Sequence, residues 1–293
     1  MTYLTTMVYA FIMAHMPVQL SNAIANLVDN LFTNWATGIL KSTYNTDSIE
    51  TATSLVKLSN SVYADLFSIV NSVFGAVKPV GFALVTTFFL IHMFHMATNE
   101  QITIESLAKL FIALIVTVGI VGNLDSIINI LLQIGDDIIG GISNVSDLDD
   151  PGVDELVDKL KDDGILGFTM WLSSIIVWLM HIVATVIIYM GAISRALDVG
   201  WRIALAPIAA ANAFEGGANS NAMRYLKSLF GAILAGAAMI IIMQAGFTLS
   251  RAFFGDSGSS YSGFTRLLLS SAAMLATGMA ATGASAKVKE VVG

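Results

Sequence analysis

The sequence predicts an all-α, polytopic membrane protein, and three observations lead to this fold class. Of its 293 residues, 56% are hydrophobic and 12% are charged, whereas about a quarter of the residues in ordinary soluble domains are charged. The mean hydropathy is +0.77, so lipid must solvate much of the surface. Five apolar segments also have the length and apolarity of a bilayer span.

These five predicted transmembrane helices are separated by more polar segments. The clearest of them is the third, which reads "FTMWLSSIIVWLMHIVATVIIYMGAI". The predicted spans are residues 80–97, 107–121, 168–193, 228–249 and 263–283.

Residues 1–78 differ from the rest and form a predicted amphipathic, helical N-terminal region. Apolar side chains recur at helical spacing in "VQLSNAIANLVDNLFTNWATGIL", namely at Leu20, Ile24, Leu27, Leu31 and Trp35. The polar face of this helix lacks Lys and Arg, which favours contact with protein over contact with anionic lipid. A second amphipathic helix is predicted over residues 49–77. The N-terminal apolar stretch has no preceding basic residue, so we expect no cleaved signal peptide.

Two segments between the second and third spans interrupt the apolar pattern. Residues 124–142 contain Asp125, Asp136 and Asp137, and predict an interfacial or re-entrant extension of the second span. Residues 143–167 predict an acidic loop, because residues 146–163 hold eight acids and two lysines. No basic face of the kind that binds nucleic acid is present in the sequence.

The stretch between the third and fourth spans combines charge with helix-breaking residues. Its uncharged part, residues 203–214, would extend about 18 Å as a helix, against a hydrocarbon core of about 30 Å. Pro207 lies inside it and removes a helical hydrogen bond. We therefore predict a short, non-spanning broken helix that turns back at Gly216 and Gly217. Such backbone needs protein or water around it, which makes the stretch a candidate pore or portal lining.

Orientation follows from the basic residues. Five spans with the N-terminus outside place seven of the 14 Lys and Arg residues inside, and put the stretch 193–228 on the cytoplasmic side. Six spans with the N-terminus inside would place nine there. The number of basic residues on the cytoplasmic side favours six spans, but the short length of residues 203–214 favours five.

Charged residues at the start of this stretch share one helical face. Arg195, Asp198 and Arg202 are spaced i, i+3 and i+7. They fit an interfacial anchor formed with Trp201, in which the ends of the side chains reach lipid headgroups. They also fit a structural clamp or a contact between subunits.

Small residues in the last two spans predict close packing of helices. The fourth span contains two small-xxx-small pairs, Gly231 with Ala235 and Ala232 with Gly236. The fifth span continues the pattern with Ala272, Ala276, Gly278, Ala280 and Gly283. Small residues let helix backbones approach closely, either within one chain or within an oligomer.

The sequence offers no catalytic, metal or cofactor site. Without cysteine there can be no disulfide, thiol nucleophile or thiolate metal site. His92, His95 and His181 lie in predicted spans, where a proton relay or metal site would require partners; no carboxylate accompanies them there. No hydrolase, zinc-protease or phosphate-loop motif occurs. We therefore predict a protein that is not an enzyme and that has no cofactor.

The order of features resembles that of a known family. An amphipathic N-terminal region, two spans, a hydrophilic loop, a strong span and "SRALDVGWRIALAPIAAANAF" precede two Gly/Ala-rich spans. This layout resembles the TrbL-type polytopic inner-membrane component of type IV secretion systems, the sixth subunit of the VirB-type apparatus, in its version from Gram-positive conjugative elements. The local match comprises Arg195, Gly200–Trp201, Ala206–Pro207 and Phe214–Gly217. The layout covers most of the chain from residue 80 onwards.

The resemblance implies a channel or scaffold subunit in the cell membrane. Such a subunit assembles as an oligomeric ring with other secretion subunits, including ATPases, and contacts DNA–protein substrates during conjugation. It also implies an external N-terminus and a cytoplasmic C-terminus. Two alternatives stay open, a secondary transporter with its substrate site at the broken helix, and a membrane scaffold without a conduit.

Overall fold

A computed structural model describes residues 18–44, 47–98, 103–143, 153–162, 167–216, 220–255 and 262–292. Nearly all of these residues are helical, which confirms the all-α prediction. In chain order the helices are α1 (Val18–Thr43), α2 (Asp47–Val56), a 3-10 helix (Ser61–Tyr63), α3 (Ala64–Thr98), α4 (Ile104–Gly122), α5 (Leu124–Ser143), α6 (Val153–Asp162), α7 (Gly167–Ala211), α8 (Ala213–Gly216), α9 (Asn221–Gly255) and α10 (Gly263–Val292).

Among the described residues, five helices are long and apolar enough to cross a membrane. They are α3 with its preceding 3-10 turn, α4, α7, α9 and α10. Each contains one of the five predicted spans, so the prediction of five long apolar helices is confirmed. These helices indicate a multi-pass membrane protein.

The chain divides into two compact units, and the first comprises Met1–Thr46, Leu148–Ala184 and Gly246–Ala276. Its core is built from α1, α6, the first part of α7 and the start of α10. The buried side chains of this core are those of Ala36, Leu40, Tyr44, Val157, Leu160, Met170, Val177 and Leu267.

The predicted acidic loop at residues 143–167 contains the helix α6, which the sequence analysis missed. Val157 and Leu160 lie three residues apart, so a helix brings them to one face, where they join the core of the first unit. Among the acids, Asp154 forms an ion pair of 2.9 Å with Lys41 of α1. Burial of the apolar face therefore orders a segment whose composition alone indicated a loop.

The amphipathic helix predicted for the N-terminal region exists as α1, but its apolar stripe is not its buried face. Leu27 and Trp35 of the stripe are 65% and 54% exposed. The opposite side, with Ala36 and Leu40, packs in the core. Contact of the stripe with another protein therefore stays a prediction.

The second unit comprises Asp47–Asp147, Thr185–Ala245 and Thr277–Gly293. The prediction of one amphipathic helix over residues 49–77 is wrong, because the chain turns at residues 57–60, between α2 and the 3-10 helix. Asn60 caps the 3-10 helix, and its side chain accepts a hydrogen bond of 3.0 Å from the backbone N–H of Val62. This polar residue satisfies a backbone donor that the first turn of a helix leaves unpaired.

The first span begins earlier than predicted, since α3 runs without a break from Ala64 through Pro79. The boundary placed between residues 78 and 79 therefore falls inside a helix. Residues 124–142 form a separate helix, α5, rather than a continuation of α4. The break follows Asn123, whose side-chain amide donates a hydrogen bond of 2.9 Å to the carbonyl of Gly119 and so ends α4.

The sequence predicted a separate short helix over residues 203–214, and this prediction is wrong. Residues 203–211 are the last turns of α7, which continues through Pro207, and the break comes at Asn212, before α8. Proline removes one backbone donor, while the surrounding alanines have the highest helix propensity, so the helix persists. Because α7 has 45 residues and one crossing needs about 20, the length of residues 203–214 does not decide whether they enter the bilayer.

Candidate functional site

Arg195, in the second unit, forms a cluster of buried polar contacts. Its side chain is buried and donates to three backbone carbonyls. Nε donates to Ala232 at 3.0 Å, Nη2 donates to Ile233 at 2.7 Å, and Nη1 donates to Val56. Arg195 of α7 thereby joins α9 to the end of α2. An arginine that donates to three carbonyls binds backbone and stays charged, so this cluster is suited to anchoring rather than to proton transfer.

The turn that follows α2 is held by a second charged residue. Asp136 of α5 accepts hydrogen bonds from the backbone N–H groups of Leu58 at 3.1 Å and Ser59 at 3.0 Å. Asp136 also interacts electrostatically with Arg195. Since the last carbonyls of a helix have no partner within it, Arg195 supplies the donor that Val56 lacks. A cation and an anion together fix this turn.

Asp198 and Arg202 form a second cluster, on the more exposed side of α7. One carboxylate oxygen of Asp198 accepts from Arg202 Nε at 2.9 Å and from the indole N–H of Trp201 at 3.0 Å. Arg202 also donates to the hydroxyl of Ser228 at 2.6 Å, while its backbone carbonyl accepts from the hydroxyl of Tyr225. The predicted charged face therefore divides, with Arg195 in the core and Arg202 joining α7 to the start of α9.

Pro207 lies where α7 packs against the first span. A Cβ added to Gly81 of α3 would lie 2.7 Å from the carbonyl oxygen of Pro207, so only glycine fits there. Further along, Phe214 of α8 contacts Phe89 and His92 of α3, with ring centroids 6.4 and 5.3 Å apart. The proline-containing stretch thus runs alongside α3 in the same direction.

Of the two glycines predicted to end the stretch 203–214, the structure describes one. Gly216 is the last residue of α8. Gly217 lies outside the described residues. The end of α7, α8 and the start of α9 are together called the elbow hairpin below.

Among the small residues predicted to pack helices, Ala272, Ala276 and Ala280 of α10 are exposed and Gly283 is half-buried. The buried ones are Gly231, Ala232, Ala235 and Gly236 of α9 and Gly278 of α10. At Gly236, a Cβ would overlap with the guanidinium group of Arg195, so this glycine makes room for the anchor. Packing within the chain accounts for the buried positions, while a role in an oligomer stays a prediction.

A polar cavity that the sequence analysis did not predict lies between α3 and α5. Its volume is about 370 Å³, and Asn71, Lys78, Asp125 and Asn129 contribute polar lining. Lys78 forms an ion pair with Asp125 and donates to the carbonyl of Gly122 at 3.0 Å. The only signal in the sequence is a lysine just before Pro79 at the start of an apolar run. The partner is 47 residues away and has no fixed spacing that could reveal it.

The three intramembrane histidines have different surroundings. His92 makes a hydrogen bond of 3.1 Å with the carbonyl of Phe88, one turn earlier, and His95 lies in the last turn of the same helix. His181, in the first unit, is buried beside Tyr44, with ring centroids 5.9 Å apart. Among the described residues, no group of three or more His, Asp or Glu side chains could hold a metal ion.

These observations define a multi-pass membrane protein in which charged side chains bind helix backbones together. Comparison of the chain with protein-family models, with curated proteins and with solved structures gave no match.

Proposed function

We propose that this chain is a non-enzymatic channel or scaffold subunit of a conjugative type IV secretion system. It would assemble as a ring-shaped oligomer in the cell membrane, with other secretion subunits and their ATPases, and allow DNA–protein substrates to pass. The proposal rests on the resemblance of its layout and of its central motif to the TrbL-type family.

The observation that carries the proposal is the role of the motif residues in packing. Arg195 binds carbonyls of α2 and α9, Pro207 packs on Gly81, and Phe214 contacts α3. These are contacts that hold a helical scaffold in one arrangement, which is what a ring subunit requires. Buried polar groups that are fully hydrogen-bonded make such an arrangement rigid.

A gene deletion tests this role directly. In a donor cell that carries this gene on a conjugative element, deletion is expected to abolish transfer of the element, because the channel would be incomplete. Transfer is measured as transconjugants per donor, and the intact gene supplied in trans should restore it. Deletion of a secretion ATPase gene from the same element is the positive control. Normal transfer without this chain, alongside loss of transfer without the ATPase, would contradict the proposal.

Secondary transport is a second candidate function, and the polar cavity favours it. Ionisable residues in or beside spans commonly mark substrate or ion pathways, and Lys78 with Asp125 forms such a pair. The continuous helix through Pro207 counts against the broken-helix substrate site considered above.

Uptake by the purified protein alone in liposomes would separate the two functions. A transporter should accumulate solute, and Lys78→Met should abolish that uptake because it removes the ion pair in the cavity. Lys287→Met is the matched control, because Lys287 is exposed on α10 and does not line this cavity. A secretion subunit without its ATPases should show no uptake in either form.

A further inference from the structure

An apolar cavity lies between α4 and the elbow hairpin, within the second unit. Its volume is about 490 Å³, in the range of small-molecule sites. Its walls are almost entirely apolar, with Ile112, Val116 and Ile120 on the α4 side and Phe214, Met223 and Leu226 on the hairpin side. The two helices α4 and α9, which contribute to its walls, are both long and apolar enough to cross a membrane.

One end of the cavity carries a cation. Lys109 lines it about one and a half turns after the start of α4. Its ion pair with Glu105 is exposed, with 74% and 78% of the two side chains accessible, so solvent screens the attraction strongly. An ammonium has three donors and can bind a phosphate in addition to this carboxylate. Near the end of a span, a lysine also reaches the level of lipid headgroups.

One cation of the elbow hairpin, Arg202, lies towards the opposite end of the cavity. Lys78 donates a hydrogen bond to the carbonyl of Gly122, at the far end of α4. Lys78 and Ile203 both line the polar cavity described above. The neighbouring Arg202 bonds to Ser228 of α9. The end of α4 is therefore level with residue 228, and the two helices run in the same direction.

We propose that this cavity is a binding site for one anionic phospholipid. An acyl chain fills the apolar part, and the phosphate of the headgroup lies against Lys109. Charge complementarity selects an anionic lipid over a zwitterionic one, because each lysine or arginine near an anionic headgroup strengthens binding. The lipid fills the space between α4 and the elbow hairpin and so supports their packing. The site does not depend on the proposed role in secretion.

The test is native mass spectrometry of the full-length protein, delipidated in detergent and titrated with phosphatidylglycerol or phosphatidylcholine of identical acyl chains. Wild type is expected to bind one phosphatidylglycerol about fivefold more tightly than phosphatidylcholine, which is the effect of one cation near the headgroup. Lys109→Gln should remove this preference while lipid still binds. Lys287→Gln, at an exposed lysine of α10, should keep the preference.

A second pair of variants tests the cavity itself. Ala113→Phe places a ring in the cavity and should abolish binding of the tightly held lipid, whereas Ala108→Phe, on the exposed side of α4, should not. Melting temperatures show whether both variants fold. Equal lipid binding by the two folded variants would overturn the proposal. So would equal binding of both lipids by wild type, or a co-purifying peptide in place of lipid.

Discussion

Arg195→Leu is expected to destabilise the protein by about 2–4 kcal/mol, since a charged donor that serves three buried carbonyls is lost. The helical carbonyls of Ala232 and Ile233 retain their bonds within α9. The carbonyl of Val56, at the end of α2, loses its partner and becomes a buried, unpaired acceptor. The expected result is a lower melting temperature in detergent and a smaller fraction of monodisperse protein on size-exclusion chromatography.

Two further variants identify the cause of this effect. Arg195→Lys keeps the charge, but its single ammonium cannot reproduce the forked geometry of three donor nitrogens, so it should restore only part of the stability. Arg224→Leu removes an exposed arginine nearby and should change the melting temperature little. If Arg195→Leu melts at the same temperature as Arg224→Leu, the anchor contributes nothing to stability.

Gly81→Ala is expected to force α3 away from α7. The added methyl group would lie 2.7 Å from the carbonyl oxygen of Pro207, and a backbone atom cannot move aside as the tip of a side chain can. Overpacking of this kind costs about 1–3 kcal/mol, which exceeds the gain of up to about 1 kcal/mol from replacing glycine in a helix. The melting temperature should therefore fall.

Gly75→Ala in the same helix provides the control with the opposite sign. Nothing lies within 4 Å of a Cβ at Gly75, so only the gain in helix propensity acts and the melting temperature should stay or rise. Equal effects of the two substitutions would mean that α3 and α7 do not approach closely at Pro207.

The long apolar helices could be predicted from the sequence, because a bilayer span requires a length and an apolarity that few other structures need. The helix α6 could not be predicted as readily, since the eight acids of residues 146–163 mask two buried positions, Val157 and Leu160. The extent of α7 was also missed, because Pro207 interrupts one hydrogen bond but not the helix around it.

The site residues show a similar division between what was predictable and what was not. The spacing of Arg195, Asp198 and Arg202 placed them on one helical face, but their acceptors include backbone carbonyls, which have no signature in a sequence. Lys78 and Asp125 meet only because α3 and α5 pack together. Gly81 is one glycine among 24, and only its approach to Pro207 distinguishes it.

The anchored turn after α2 also imposes an order on the assembly of the nascent chain. Its carbonyl and amide groups lie near residue 57, yet their partners are Asp136 and Arg195, and the latter must also reach α9. Ribosomes release chains from the N-terminus onwards, so this turn waits for more than half of the protein to be synthesised before its bonds can close. The end of α2 can therefore be anchored only after Arg195, two thirds of the way along the chain, has left the ribosome.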